Sequence, residues 1–270
     1  MSPSFYSSID WSRDWYAAVR AAAENIIDAP DWRAALNAQA ARLALCNQRG
    51  LPLSFVPQEN LPEGIAYEAF IGATGGVPTR ANLHDFFNAL VWLSFPRIKR
   101  QLNALQAAQI ALAGIGKSRG NARDAATIFD ENAALIVVRD TPRGQALLDA
   151  LRRHRWQDGF IGQRAAFGAD AEVWLFGHAL MEKLLHPYKA ITAHTRAVQV
   201  DGAYFALDHA ARRDWIDRQV ALELAGQGLS TACFTPLPVL GVPHWWPGQD
   251  QAFYDDASVF RPPKAAKNPV

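Results

Sequence analysis

The pattern of apolar and polar positions predicts helices at both ends of the first fifty residues. "DWSRDWYAAVRAAAENIID" offers Asp10 or Ser12 as a cap and an alanine-rich interior. "PDWRAALNAQAARLALCNQRG" opens on Pro30-Asp31 and closes on Gly50, the expected start and stop chemistry. Residues 51–81, with prolines and then glycines, read as a long irregular connection. Asn82 can cap a helix reaching about Phe95, where Pro96 breaks it. A second helix runs to about Ala113, with Gly114 as its stop. "FDENAALIVV" reads as a turn feeding a strand, and "AEVWLFGHALMEKLL" as a helix ended by Pro187. "RAVQVDGAYFALD" reads as a hairpin about Asp201-Gly202, and "DHAARRDWIDRQVALELAGQG" as a helix. The proline- and aromatic-rich end reads as an extended arm. The sum is a mainly helical α+β single domain with a small antiparallel sheet. Its segments are a helical pair at 1–50, a long loop at 51–81, a core at 82–232 and a C-terminal arm at 233–270.

Composition narrows the class. Half of the 270 residues are apolar and the net charge is +1, so a large core is available and a globally basic nucleic-acid binder is not indicated. Two cysteines, Cys46 and Cys233, make no disulfide framework and fit a reducing compartment. With no secretory pattern and no long uncharged apolar run, the expectation is a cytoplasmic protein without a membrane span.

The motifs "NLHDFFNALVWLSFPRIKRQLNALQ", "RDAATIFDEN", "LFGHALMEKLLHPYKAITAH" and "PLPVLGVPHWWPGQDQAFYDDASVFRPP" resemble a bacterial family catalogued as a domain of unknown function. The resemblance covers roughly residues 80–262 and implies a soluble, proteobacterial-type protein. It carries over no activity, cofactor or catalytic residue.

Candidate chemistry therefore comes from the residues. In the helix read at 171–185, Val173, Phe176, Leu180, Met181 and Leu184 share one side. His178, Glu182 and His186 lie near the other. His178 and Glu182, four apart, could grip a divalent metal, or the glutamate could tune the histidine. The competing reading is an ordinary solvated stripe, and Pro187 disfavours a helical His186. In the helix after Asn82, Phe86, Phe87, Leu90 and Leu93 form one face. His84, Asp85 and Asn88 lie opposite, but that side continues as Val91, Trp92 and Phe95. Two apolar faces put the polar trio inside the protein or in a cleft, where it needs partners. Asp85 could alternatively complete a capping box.

These observations predict one cleft holding His84, Asp85, His178 and Glu182. His84 would be a metal ligand or the general base, Asp85 its orienter or a further ligand, His178 and Glu182 the other metal ligands, and Asn88 a donor to substrate. Asp130, preferred over Glu131 because it borders the apolar run, would be a further acid or ligand. Local turn chemistry is its alternative role. Between Asp85 and Asp124 there is no acidic residue, while Arg97, Lys99, Arg100, Lys117, Arg119 and Arg123 are all basic. That favours a small anionic ligand clamped by Lys99 or Arg123, and leaves nucleic acid or a protein partner as the rival. "ALAGIGKSRG" lacks a glycine at Ala111 and follows a helix, which argues against a phosphate loop. Cys233 with His244 has no nucleophile signature. The leading expectation is a metal-assisted hydrolase acting on a small anionic substrate.

Overall fold

The computed structural model describes residues 4–113 and 121–262. The N-terminal pair forms as expected, α1 at Ala17–Glu24 and α2 at Trp32–Arg42. The Asp31 carboxylate caps α2 by accepting from the N–H groups of Arg33 and Ala34. Residues 51–81 are not irregular. Strand β1, Ser54–Val56, pairs in parallel with β2, Gly76–Pro78, and α3, Tyr67–Thr74, lies between them.

Helix α4, Leu83–Ser94, begins where Asn82 predicts. The Asn82 amide oxygen accepts from Asp85 N–H at 2.8 Å. Every residue from Asp85 to Ser94 is buried, so α4 is enclosed on both faces, as its double apolar pattern implies. Pro96 then starts α5, Pro96–Ala113, in a new direction. Gly114, Lys117, Arg119 and most of the near phosphate loop lie outside the described residues.

Three expectations after residue 120 need correction. "RDAATIFDEN" is the body of α6, Asn121–Asn132, and not a turn; Ala125, Ala126 and Phe129 supply its buried helical face. It runs straight into β3, Ala133–Arg139, and α7, Pro142–Arg152, follows. Second, Ala171–Leu175 is a strand, β4, and only His178–Lys183 is helical, as α8. Gly177 separates the two, and Val173 and Trp174 suit a strand better than a helix. Third, there is no hairpin at Asp201-Gly202. Strand β5, Thr192–Val200, ends there, and the Asp201 carboxylate accepts from Ala203 and Tyr204 N–H to open a short helical turn. Gly202 is not among the residues with positive φ.

Helix α9, His209–Gln227, is capped by Asp208 and stopped by Gly228 at φ 68°. The tail is less irregular than its composition suggests. It contributes strand β6, Thr235–Pro238, and a short helix α10, Gln251–Tyr254. The main sheet, in the order β4-β3-β5-β6, is mixed: β3 and β5 are parallel, and the outer pairs are antiparallel. The architecture is thus largely helical with two small sheets, consistent with α+β.

One cluster of buried side chains extends from Tyr6 to Phe260. Tyr16 stacks on Phe87 of α4 and donates its hydroxyl to Met181 O of α8 at 3.1 Å. Among the described residues no helix is long and apolar enough to cross a membrane.

Candidate metal centre

Three helices converge on one point. His84 comes from the first turn of α4, Glu131 from the last turn of α6, and His178 from the first residue of α8. His84 Nε2 and His178 Nε2 are 3.2 Å apart. Glu131 Oε2 is 3.4 Å from His178 Nε2 and 3.9 Å from His84 Nε2. Ligands held at 2.0–2.2 Å around a tetrahedral ion would be separated by about 3.3–3.6 Å. The donor set therefore fits a first-row divalent cation, and two imidazoles with one carboxylate leave further coordination positions open.

Local structure explains the meeting. Phe176 and Gly177 N–H both donate to Ala133 O, tying the start of α8 to the α6–β3 junction. A Cβ on Gly177 would lie 2.6 Å from Asn132 N and 2.5 Å from Ala133 N, closer than any side chain tolerates. Glycine is required for this approach, which brings His178 beside Glu131.

Each imidazole has a carboxylate behind it. His84 Nδ1 lies 3.0 Å from Glu182 Oε2. His178 Nδ1 has no hydrogen-bond partner within ordinary reach, and its nearest carboxylate is Asp130, with Oδ2 at 3.9 Å. If Nε2 of His84 faced an ion, its Nδ1–H would point at the Glu182 carboxylate, the usual way a protein orients a histidine ligand. Asp130 is itself fixed by Lys99, whose Nζ lies 2.6 Å from Asp130 Oδ1 and 2.8 Å from Asn88 Oδ1. Asn88 in turn donates to Tyr67 Oη at 2.9 Å.

Charge states follow from these surroundings. Burial pulls the His178 imidazole down to about 4, and the nearby Asp130 carboxylate only partly offsets it. His178 is therefore neutral at physiological pH, as a ligand must be. Burial pulls the Asp130 carboxyl up, but Lys99 and His178 outweigh it and hold the group below the usual carboxylate range. Burial and the neighbouring Asp130 charge raise Glu131. Behind them Glu68 of α3 accepts from the Asn103 amide and, though partly exposed, is packed deeply enough that burial pushes its carboxyl up to about 7.

The expected residues are thus divided. His84, His178 and Glu182 do come together, with Glu182 behind His84 and not beside His178. Glu131, ranked second to Asp130 in the sequence, reaches the centre, whereas Asp130 pairs with Lys99. Asp85 does not orient His84. Its carboxylate takes Arg80 N–H and both arms of the Arg80 side chain. Lys99 is no anion clamp, because it is 3% exposed and already paired. Arg123 sits seven residues before Asp130 on α6, about 10 Å away along the axis. His186 lies beyond the end of α8. Cys233 meets Ser230, while His244 lines a different cleft. Tyr67, Glu68 and Asn103 were not singled out from the sequence. They lie in or against a segment whose prolines and glycines hide its one helix.

The model of the DUF3025 family, described as a protein of unknown function, matches residues 53–264. The chain belongs to the DUF3025 family. No curated protein and no solved structure matches it. Every residue of the candidate centre falls inside the DUF3025 match, whereas α1 and α2 precede it.

Proposed function

We propose that this DUF3025 chain is a divalent-metal-dependent enzyme, with His84, His178 and Glu131 as the ligands, and that its reaction is a hydrolysis. The observation that carries the reading is the approach of three donor atoms from three helices to within 3.2–3.9 Å of one another. Two imidazoles this close, with a carboxylate across from them, form a set that a shared cation would stabilise. A divalent ion supplies Lewis acidity toward a carbonyl or phosphoryl oxygen and lowers the pKa of water.

The protein's own groups would do the rest. Glu182 fixes the ring of His84 and its tautomer. Asp130, held by Lys99, is the carboxylate nearest to His178 Nδ1, at 3.9 Å on the buried side. His84 and Glu131 keep about a third of their side-chain surface exposed, against 4% for His178, so substrate would arrive over His84 and Glu131 with His178 as the floor. An ion held by His84, His178 and Glu131 would offer its open positions to an oxygen of the substrate.

The test is elemental analysis of protein purified without a histidine tag, alongside Glu131→Gln and His178→Ala. Near-stoichiometric zinc, manganese or iron in the parent and its loss in both variants is the expected result. The metal-loaded protein is then assayed on ester, amide and phosphoester panels. A parent that takes up no divalent metal from buffered solutions would remove the proposal. A metal-loaded parent that hydrolyses none of the panels would remove the hydrolytic part of it.

A further inference from the structure

A second cleft, of about 290 Å³, opens at the far end of α4 from His84, between α4, α5, α9 and the turn that follows α2. Ten residues separate His84 from Ser94, about 15 Å of helix, so the two sites are distinct. Leu43, Leu45, Leu93 and Pro96 form an apolar wall, and Arg97, Arg100 and Arg213 bring three guanidinium groups.

Two carboxylates also line this cleft, Asp214 and Asp217, and both are already engaged. Asp217 is buried and accepts from Arg97 N–H at 3.1 Å and Ile98 N–H at 2.9 Å, capping α5 from across the interface. Arg97 Nη1 bridges Asp214 at 2.7 Å and Asp217 at 3.2 Å, and Arg218 binds Asp214 as well. Arg97 is therefore neutralised. Arg100 and Arg213 are not. Arg100 reaches only the sulfur of Cys46, at 3.6 Å. Arg213 makes no ion pair within 4 Å among the described residues, although it is half-buried. Burial pulls its guanidinium below the ordinary value, and Asp217 and Asp214 only partly offset that.

Two further features mark the cleft. Ser94 borders it, is 4% exposed, and its hydroxyl has no hydrogen-bond partner. A buried unpaired hydroxyl is costly unless something else supplies the bond. At the rim, Ala44 holds a left-handed backbone, φ 49°, which closes α2, with Leu45 N–H returning to Ala40 O at 3.0 Å.

We infer that this cleft binds the oxyanion of a small molecule, a phosphate or carboxylate, through Arg100, Arg213 and the Ser94 hydroxyl, with the apolar wall taking its carbon skeleton. Guanidinium groups without a carboxylate are the usual partners of phosphate and carboxylate oxygens. The volume suits a small metabolite and not a nucleotide-sized ligand. The α5 N-terminus adds nothing, since Asp217 has taken its N–H groups.

Inorganic phosphate is the probe, titrated calorimetrically at constant ionic strength into the parent, Arg213→Met and His178→Ala. Phosphate also ligates metals, so the third protein separates the two sites. Saturable binding in the parent, at least about tenfold weaker in Arg213→Met and unchanged in His178→Ala, is the expected result. If Arg213→Met does not fold, Arg100→Met takes its place, because Arg100 is exposed and touches only a thiol. No saturable binding in the parent, or undiminished binding in the arginine variant, overturns the inference. So does binding that only His178→Ala abolishes, which would place the phosphate at the metal centre.

Discussion

Lys99 Nζ lies 2.6 Å from Asp130 Oδ1, and both side chains are almost wholly buried. Neither group could be charged at this depth without the other. Removing the lysine alone strands a carboxylate, which costs about 3–5 kcal/mol, whereas replacing both groups with apolar ones can be nearly neutral. Lys99→Met should therefore lower unfolding free energy by about that amount, and Lys99→Met/Asp130→Leu should recover much of it. Urea denaturation of the two proteins checks this. An equal loss in both would mean that packing, and not the ion pair, holds the region.

Metal affinity should grade with distance from the centre. Glu131→Gln removes a ligand and should abolish stoichiometric binding. Glu182→Gln leaves all three ligands in place but takes the carboxylate from behind His84, so affinity should fall about 10–100-fold. Competition with a chromogenic chelator measures both. Were Glu182→Gln to bind as tightly as the parent, the glutamate would be a surface neighbour of His84 and nothing more.

Gly177→Ala tests the backbone contact that brings α8 to α6. The added methyl meets Asn132 and Ala133 backbone at 2.5–2.6 Å and must force the segments apart. A loss of about 1–3 kcal/mol is expected from the overpacking. Metal affinity should fall with it, because the displacement separates His178 from Glu131. A variant destabilised yet unchanged in metal affinity would show that the two helices can part without disturbing the ligands.

Two groups with shifted titration give stability opposite pH dependences. The Glu68 carboxyl is raised from 4.5 to about 7, so its contribution is present below its ordinary value and is lost as pH rises through 7. The His178 imidazole is lowered from 6.5 to about 4, so its contribution is present above 6.5 and is lost as pH falls toward 4. Glu68→Gln should accordingly raise the melting temperature of the metal-free protein at pH 8 and change it little at pH 5. His178→Ala should remove part of the acid sensitivity between pH 6.5 and 4. Thermal melts from about pH 4 to about pH 8 read out both. A Glu68→Gln effect equal at pH 5 and 8 would refute the raised carboxyl.

The helices around α4 were legible because their signals are local: Asn82 as cap, Pro96 as break, and apolar residues on both faces of one helix. The same doubled pattern put the polar trio inside the protein or in a cleft; Asp85 and Asn88 are buried, and His84 is half-buried. What the sequence hid depends on long-range pairing. Ala171–Leu175 carries apolar residues that suit either a helix or a strand, and only pairing with β3 selects the strand. Asp201-Gly202 has the chemistry of a two-residue turn, but β5 takes its partners from β3 and β6, so no local hairpin is needed. At the centre, His178 and Glu182 were found by their spacing, yet the spacing misled in detail: they face His84 from different sides. Glu131 ranks below Asp130 in the sequence because Asp130 is read as bordering the apolar run, with "FDEN" as a turn. Once that segment is a helix, its last turn delivers the glutamate to the ligands.

The edge strand β6 has a consequence for the protein's behaviour in concentrated solution. Val239 N–H donates inward to Ile191 O, so alternate residues Leu237 and Thr235 also face β5, and Pro236 and Pro238 turn their nitrogens outward. Those positions carry no N–H. A foreign strand approaching that side finds acceptors without the donors a ladder requires. The prolines that made the tail look unfit for a sheet thus guard the sheet's open border against recruitment of a second chain into a growing β-stack.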